Sequence, residues 1–291
     1  EHEAAIVKLE PVSLDASDKL RVIATTNIVA DIVSQVGGDS IELTALLPLG
    51  ADPHTYTTSP QDMVAVTDAH LIFANGVNLE AEFLPELIQH SEVPVIYVSQ
   101  GIELRALGED ETREHENADP HTWTTPTNAI VFVHNIEHAL SAADPANAET
   151  YKANAEKYEV ELERFDEWIG EQISTIPVNN RKLITDHDTF GYYTDRYGLE
   201  QIGAVIPGFS TASEPSAQEL AALEDMIREY GVRAVFVGTT VNPSLAQQVV
   251  EDTGIQLINL YTGSLGPAGS SVETYLDYIR HNTTAIVEGL R

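Results

Sequence analysis

The chain has 291 residues, no cysteine and a formal net charge of −31. Such acidity argues against binding to nucleic acids or anionic membranes, which need a basic surface, and suits a protein that attracts cations or one from a saline setting. Without cysteine, disulfides and thiolate metal sites are excluded, so any metal must be bound by histidine or carboxylate. No apolar run reaches the roughly 18 residues of a spanning helix, so direct membrane insertion is not expected.

The first 19 residues are polar and acidic and predict a flexible arm. After them, short apolar strands alternate with helical patterns, which is typical of a mostly parallel sheet flanked by helices on both faces. In the first half, the predicted strands cover 20–25, 41–47, 71–74 and 93–98, and the predicted helices include 28–36, 79–89 and 127–142.

A short pattern occurs twice in this half, as Asp52–Tyr56 and as Asp119–Trp123. Each copy places a histidine directly after a proline, His54 in the first and His121 in the second, and is followed by a Ser-Pro or Thr-Pro helix start. Two imidazoles on stiff strand-to-helix loops predict a metal site at the carboxyl ends of the strands.

Three other histidines of this region are weaker candidates. His134 and His138 stand one helical turn apart, but they project opposite to the apolar stripe and no metalloprotease glutamate accompanies them. We interpret them as surface residues. The acidic segment 108–118 contains His115 and is either a solvated loop or a mobile lip that collects metal weakly.

The longest predicted element is a helix from Pro145 to Ile176, with apolar residues at every third or fourth position. At 1.5 Å per residue it would extend on the order of 45 Å and join two α/β halves as a stiff connection. We therefore predict four parts: a flexible arm (1–19), an N-terminal α/β lobe (20–143), the linking helix (144–177) and a C-terminal α/β lobe (178–291).

The second half repeats the alternation of strands and helices. A strand at 182–185 ends at Asp186-His187-Asp188, so His187 is expected at the carboxyl end of a strand, as the other two candidates are. We predict that His54, His121 and His187 together bind one metal ion.

The sequence resembles the metal-binding substrate-binding proteins of ABC importers, in the zinc and manganese group, over nearly the whole chain after the arm. The motifs that carry the resemblance are Asp52-Pro53-His54, Asp119-Pro120-His121 with Trp123 and Asn128, His187-Asp188-Thr189-Phe190-Gly191-Tyr192, Arg196-Tyr197-Gly198, Glu214-Pro215-Ser216 and Thr262-Gly263-Ser264-Leu265-Gly266.

The resemblance implies two α/β lobes joined by one long rigid helix, with the metal between the lobes. It also implies an extracytoplasmic protein, not an enzyme, that acts as a monomer and delivers metal to an ABC permease in the membrane. Carried over by residue, His54, His121 and His187 are the ligands. Three imidazoles favour Zn²⁺ as the transported ion, with Mn²⁺ second.

Two positions depart from the family pattern. Gly263 stands where an aspartate ligand is usual, and Gly238 stands where a glutamate is common. The site therefore has three histidines and an open position, for water or for a carboxylate from Asp188, Glu214 or the segment 109–116. Loss of a negative charge predicts a lower metal affinity than that of a relative with four ligands.

Two alternatives remain open at this stage. Three histidines and an open position also suit a zinc-dependent hydrolase, in which Asp186 or Asp188 would act as general base. A metal-stabilised surface adhesin is the other alternative, and it predicts that removal of the metal unfolds the protein.

Overall fold

The structure is a computed structural model that describes residues 9–15, 18–89, 91–105 and 118–291. Two parallel four-stranded sheets, each flanked by helices, confirm the predicted fold class. The strands are β1 (Leu20–Ala24), β2 (Ile41–Ala45), β3 (Leu71–Ala74), β4 (Val95–Tyr97), β5 (Lys182–Thr185), β6 (Glu200–Ala204), β7 (Ala234–Gly238) and β8 (Gln256–Leu260). The first sheet has the order β2-β1-β3-β4 and the second the order β6-β5-β7-β8.

Helices of different length connect these strands within the described ranges. They are α1 (Asn27–Gly37), α2 (Pro60–Asp68), α3 (Leu84–Ile88), α4 (Pro126–Ala143), α5 (Ala148–Ser174), α6 (Gly191–Tyr197), α7 (Ala217–Tyr230), α8 (Ser244–Thr253) and α9 (Tyr275–Leu290). None of the helices in the described parts of the chain is both long and apolar enough to cross a bilayer.

The carboxyl ends of the central strands lie at one edge of each sheet. In the first sheet β1 pairs in parallel with β2 and β3, and Ala24 lies opposite both Ala45 and Phe73. In the second sheet β5 pairs in parallel with β6 and β7. Every residue of β3 and β7 is buried, as expected for parallel strands covered on both faces. The connections that leave these edges carry the three candidate histidines.

The helix α5 is the predicted long element, and its 27 residues give a length of about 40 Å. It packs against α1 and α4 of the N-terminal half and against α6 and α9 of the C-terminal half. Its buried stripe belongs to one apolar core that includes residues of both sheets. The stripe consists of Tyr151, Ala155, Tyr158, Leu162, Phe165, Ile169 and Ile173. One long helix therefore joins the two lobes, as predicted.

The helix predicted at 79–89 is shorter than expected, because α3 begins only at Leu84. Pro85 gives the physical reason. In a helix that began at residue 79, its ring would clash with the carbonyl group one turn earlier, whereas in the first turn of α3 it is tolerated. Residues 79–83 form tight turns instead, and Glu80 turns its carboxylate back to accept hydrogen bonds from the amides of Asn75 and Gly76.

Part of the predicted N-terminal arm lies along the N-terminal lobe. Leu9, Val12 and Leu14 are partly buried against the main core, and the Val12 amide donates a hydrogen bond of 2.8 Å to the Ala143 carbonyl. The acidic segment predicted at 108–118 lies outside the described residues except for Ala118. The division into four parts stays a prediction.

We predict that Leu162→Ala destabilises the protein by about 2–5 kcal/mol, because Leu162 is fully buried between the lobes and its removal leaves a cavity. Urea unfolding of the metal-free protein measures this change. Val160→Ala on the same helix is the control: Val160 is 43% exposed, so its effect should stay within about 0.5 kcal/mol. Equal effects of the two substitutions would contradict the packing of α5.

Candidate metal centre

The two copies of the Asp-Pro-His pattern share one backbone contact. In the first, Asp52 Oδ1 accepts a hydrogen bond of 2.9 Å from the His54 amide. In the second, Asp119 Oδ1 accepts one of 3.0 Å from the His121 amide. Each aspartate thus folds back on the residue two positions later, as Asx turns do. The repeated sequence therefore produces the same Asx turn twice, once between β2 and α2 and once between β4 and α4.

Both loops are fixed at the helix that follows. Ser59 and Asp62 form a capping box at the start of α2, and the Tyr56 hydroxyl donates a hydrogen bond of 2.8 Å to Asp62. At the start of α4, Thr125 caps the helix and the Asn128 side chain donates to the Thr122 carbonyl at 2.9 Å. The conformation of each histidine loop is therefore set by contacts on both sides.

The three predicted histidines converge from both lobes. The Nε2 atom of His121 lies 3.1 Å from Nε2 of His54 and 3.1 Å from Nε2 of His187. His121 and His187 are buried and His54 is half-buried. Among the described residues, these three form the only group of histidines and carboxylates close enough together to hold a metal ion.

This spacing fits a bound metal. Zinc–nitrogen bonds of about 2.0–2.1 Å in a tetrahedron place neighbouring ligand atoms about 3.3 Å apart, close to the distances between the Nε2 atoms. Imidazole nitrogens that face one another in a buried space repel through their lone pairs unless a proton or a metal ion lies between them. The donor set therefore suits a divalent transition metal.

Carboxylates orient two of the three rings. Asp119 Oδ1 lies 2.8 Å from Nδ1 of His121, and Asp186 Oδ1 lies 2.8 Å from Nδ1 of His187. When Nδ1–H donates to a carboxylate, Nε2 is the nitrogen left for a metal, and the ring becomes a better donor. Sequence reasoning did not assign this role to Asp119 and Asp186. The signal was present, because an aspartate stands one or two residues before each histidine.

The rings of His54 and His121 are held neutral. Burial, together with the charges of His121 and His187, lowers the pKa of His54 to about 2. Burial and the charge of His187 lower the pKa of His121 well below its ordinary value. Because only a neutral imidazole can bind a metal, the Nε2 atoms of His54 and His121 are available over the whole physiological pH range.

The pKa of His187 is shifted in the opposite direction. Burial lowers its pKa, but the adjacent Asp186 carboxylate outweighs this effect, so the net pKa is raised above the ordinary value of 6.5. Burial acts on Asp186 in the opposite direction, yet His187 and the Gly238 amide lower its net pKa. Burial raises the pKa of Asp119 to about 7, although the hydrogen bond from the His121 amide and the charge of Arg105 lower it.

Two of the candidates for a fourth ligand, Asp188 and Glu214, are not brought to the cluster. Asp188 directs its oxygens elsewhere: Oδ1 accepts from Gln201 at 2.8 Å, and Oδ2 accepts from the Gly208 amide at 2.9 Å. Glu214 is exposed and stands apart from the three histidines. The segment 109–116 lies outside the described residues.

Gly263 lines the same small enclosed space as the histidines, together with Thr189, Thr240 and Thr262. A Cβ atom at position 263 would lie 2.8 Å from Cδ of Pro53, so an aspartate there requires a shift of the Pro53 loop. At Gly238, the Thr262 hydroxyl occupies the place that a Cβ atom would take. That hydroxyl oxygen is buried without a hydrogen-bond partner. The space beside the histidines is therefore lined in part by threonine side chains.

The other histidine pair lies away from the site, as predicted. His134 and His138 are both exposed on α4, and Nε2 of His134 lies 3.2 Å from Oε2 of Glu159, within hydrogen-bonding distance.

The chain matches one protein family over residues 22–289, which includes both lobes; the family is described as "ZnuA: Zinc-uptake complex component A periplasmic". The manganese-binding lipoprotein MntA of Halalkalibacterium halodurans is 34% identical over 273 residues, which cover 93% of this chain and 88% of MntA.

Two solved structures are similar throughout. The periplasmic zinc-binding protein TroA from Treponema pallidum has a TM-score of 0.86 and 27% identity, over 94% of this chain and 99% of TroA. A manganese-bound periplasmic metal-binding protein from Candidatus Liberibacter asiaticus has a TM-score of 0.83 and 26% identity, over 94% of this chain and 100% of that protein.

We predict that Asp119→Asn weakens zinc binding by about 10–100-fold, because the neutral amide is a weaker acceptor for the Nδ1 proton of His121 and no longer brings a negative charge to that ring. Competition titration against a chelator of known affinity measures the change. Asp188→Asn is the matched control, since that carboxylate binds Gln201 and Gly208 and should affect zinc little. An equal loss in both variants would contradict the assigned role of Asp119.

We also predict that zinc binding weakens as the pH falls through the range in which His187 gains a proton. Since the pKa of His187 is raised, zinc must displace a proton there, and the apparent affinity should fall about tenfold for each pH unit below that pKa. The decline should begin above pH 6.5, the ordinary value for histidine. Titrations between about pH 8 and pH 5 test this. A constant affinity over this range would contradict a proton on His187.

Proposed function

Because the chain belongs to the ZnuA family of periplasmic zinc-uptake components, we propose that it captures a divalent transition metal, zinc in the first place, and delivers it to the membrane permease of an ABC importer. In this proposal His54, His121 and His187 bind the ion, and the protein acts as a monomer.

Family membership confirms the resemblance derived from the sequence motifs. At that level the chain is an extracytoplasmic, metal-binding substrate-binding protein of an ABC importer, and it is not an enzyme. The alternative of a zinc-dependent hydrolase is therefore set aside.

One observation carries the assignment of the ligands. The Nε2 atoms of His54 and His187 each lie 3.1 Å from Nε2 of His121. Three ring nitrogens from three loops and both lobes therefore meet in one cluster. Two of the rings are oriented by carboxylates in the manner of metal-binding histidines. Burial of these ring nitrogens costs free energy unless a proton or a cation between the rings compensates for the lost contact with water. A bound cation supplies that compensation.

The donor set supports zinc over manganese. Three neutral imidazoles and no carboxylate among the described ligands suit zinc, whereas manganese favours oxygen ligands. The names of the relatives do not decide the question, because MntA is described as manganese-binding and TroA as zinc-binding. The preference for zinc therefore rests on the chemistry of the histidines.

The open position bears on affinity. Gly263 offers no side-chain ligand, so a bound dication meets one negative charge fewer than with an aspartate at that position. We expect weaker binding than in a four-ligand relative, and water is the simplest fourth ligand.

Release must occur without a large hinge motion. The helix α5 packs against both lobes through one continuous core, which limits how far the lobes can separate. A small tilt of the lobes and movement of the loops around the site are the motions this architecture permits. We propose that docking on the permease drives them.

We predict one zinc ion per chain after purification and zinc exchange, with loss of that ion in His54→Ala, His121→Ala and His187→Ala. Elemental mass spectrometry measures the content, and competition titration should rank zinc above manganese. His134→Ala is the control, because His134 lies exposed on α4 and should leave the content unchanged. Retention of zinc by all three alanine variants would contradict the ligand assignment, and a preference for manganese would contradict the choice of ion.

A further inference from the structure

A loop of the C-terminal lobe is fastened to the N-terminal lobe beside the metal centre. The Asn27 side chain, at the start of α1, donates from Nδ2 to Oγ of Ser264 at 3.0 Å. Its Oδ1 accepts a hydrogen bond of 2.7 Å from the Leu265 amide. Asn27 thus binds two consecutive residues of the loop through both ends of one amide group. Both Asn27 and Ser264 are buried.

Ser264 makes a further bond across the lobes. Its Oγ accepts a hydrogen bond of 2.8 Å from the Gly50 amide and donates one of 2.9 Å to the Leu265 carbonyl. Gly50 has a φ of 79° and begins the segment that leads to His54. We call the contacts among Asn27, Gly50, Ser264 and Leu265 the Asn27 clip. The clip joins the first-lobe segment that leads to a proposed ligand to the loop that carries Gly263.

The residue on the other side of Gly263 is also held. The Thr262 carbonyl accepts hydrogen bonds from Trp123 Nε1 at 3.1 Å and from the Tyr278 hydroxyl at 3.0 Å. Trp123 follows His121 in the second Asp-Pro-His loop. Gly263 therefore lies between two anchored residues, and both anchors reach the N-terminal lobe.

These bonds do not involve a metal ligand. An aspartate at position 263 would connect this loop to the rest of the site through the bound ion. The position of the loop would then change when the metal binds or leaves. In this chain the loop is held by bonds between protein groups alone. Buried hydrogen bonds of this kind are costly to break, because each freed polar group stays out of water.

We propose that Asn27 is a positioning residue that keeps the Gly263 side of the site closed in the presence and in the absence of metal. This inference rests on the proposed function, in which the three histidines bind the ion. The clip holds the loop against the N-terminal lobe, as a metal-coordinating side chain on the loop would do. Metal can then leave on the Gly263 side only when the clip opens, so Asn27 slows metal release.

The test compares Asn27→Ala with Asn154→Ala. Asn154 is a matched control, since its Nδ2 also donates across helices, to the Val36 carbonyl at 3.0 Å, but on α5 and away from the site. Zinc dissociation is followed by stopped flow with an excess of chelator. We expect Asn27→Ala to release zinc about tenfold faster or more, with little change in the association rate, and Asn154→Ala to match the wild type.

Hydrogen exchange of the metal-free proteins gives a second readout. The Leu265 amide donates to Asn27, so it should be protected in the metal-free wild type and lose that protection in Asn27→Ala. Ser264→Ala, which removes the other half of the clip, should give the same result. Thermal unfolding of each variant separates loss of the clip from loss of the fold.

Two results would overturn the proposal: equal zinc release by the two asparagine variants, or a Leu265 amide that exchanges freely in metal-free wild type. Failure of the proposed function is distinguishable from both. If the wild type binds no zinc at all, the ligand assignment fails, whereas hydrogen exchange of the metal-free protein still decides whether the clip is closed.

Discussion

The structure depends on the close approach of three imidazole nitrogens in a space from which water is largely excluded. At 3.1 Å, the Nε2 atoms of His121 and His54, and those of His121 and His187, cannot all present bare lone pairs without repulsion, and they cannot all carry protons either. Burial and the neighbouring charges shift the three rings differently: they lower the pKa of His54 and His121, whereas the Asp186 carboxylate raises that of His187. A dication between the rings would replace the repulsion of their lone pairs by attraction.

Much of the surrounding architecture serves to hold those nitrogens in place. The parallel strands bring their carboxyl ends to one edge of each sheet, and short connections to capped helices fix the loops there. The helix α5 keeps the two edges facing each other through a core shared by both lobes. Carboxylates of Asp119 and Asp186 then set the orientation of individual rings. The sheets, the loops, the helix α5 and the carboxylates thus each narrow the range of positions that the three rings can adopt.

The fold and the three histidines were predictable from the sequence, because their signals are local. Strand and helix patterns alternate regularly, and each histidine stands directly after a strand or in a repeated Asp-Pro-His pattern. The length of α3 was predicted wrongly, because the apolar spacing of residues 79–89 was weighted above Pro85. The Asn27 clip could not be predicted, because Asn27 and Ser264 are separated by 237 positions and no motif connects them. Contacts of that kind depend on how the lobes are placed, which no local pattern specifies.

Because position 263 has no carboxylate, the loop that carries it contributes no proposed metal ligand. The histidines alone provide the proposed ligands, while hydrogen bonds to Asn27 and Gly50 keep the loop in place. The most direct test of this account is a crystal structure of the zinc-loaded protein with anomalous diffraction at the zinc edge. We expect one zinc peak bonded to Nε2 of His54, His121 and His187, with no carboxylate of the chain in the fourth position. A zinc peak at another site, or one bonded to fewer than two of these histidines, would contradict it.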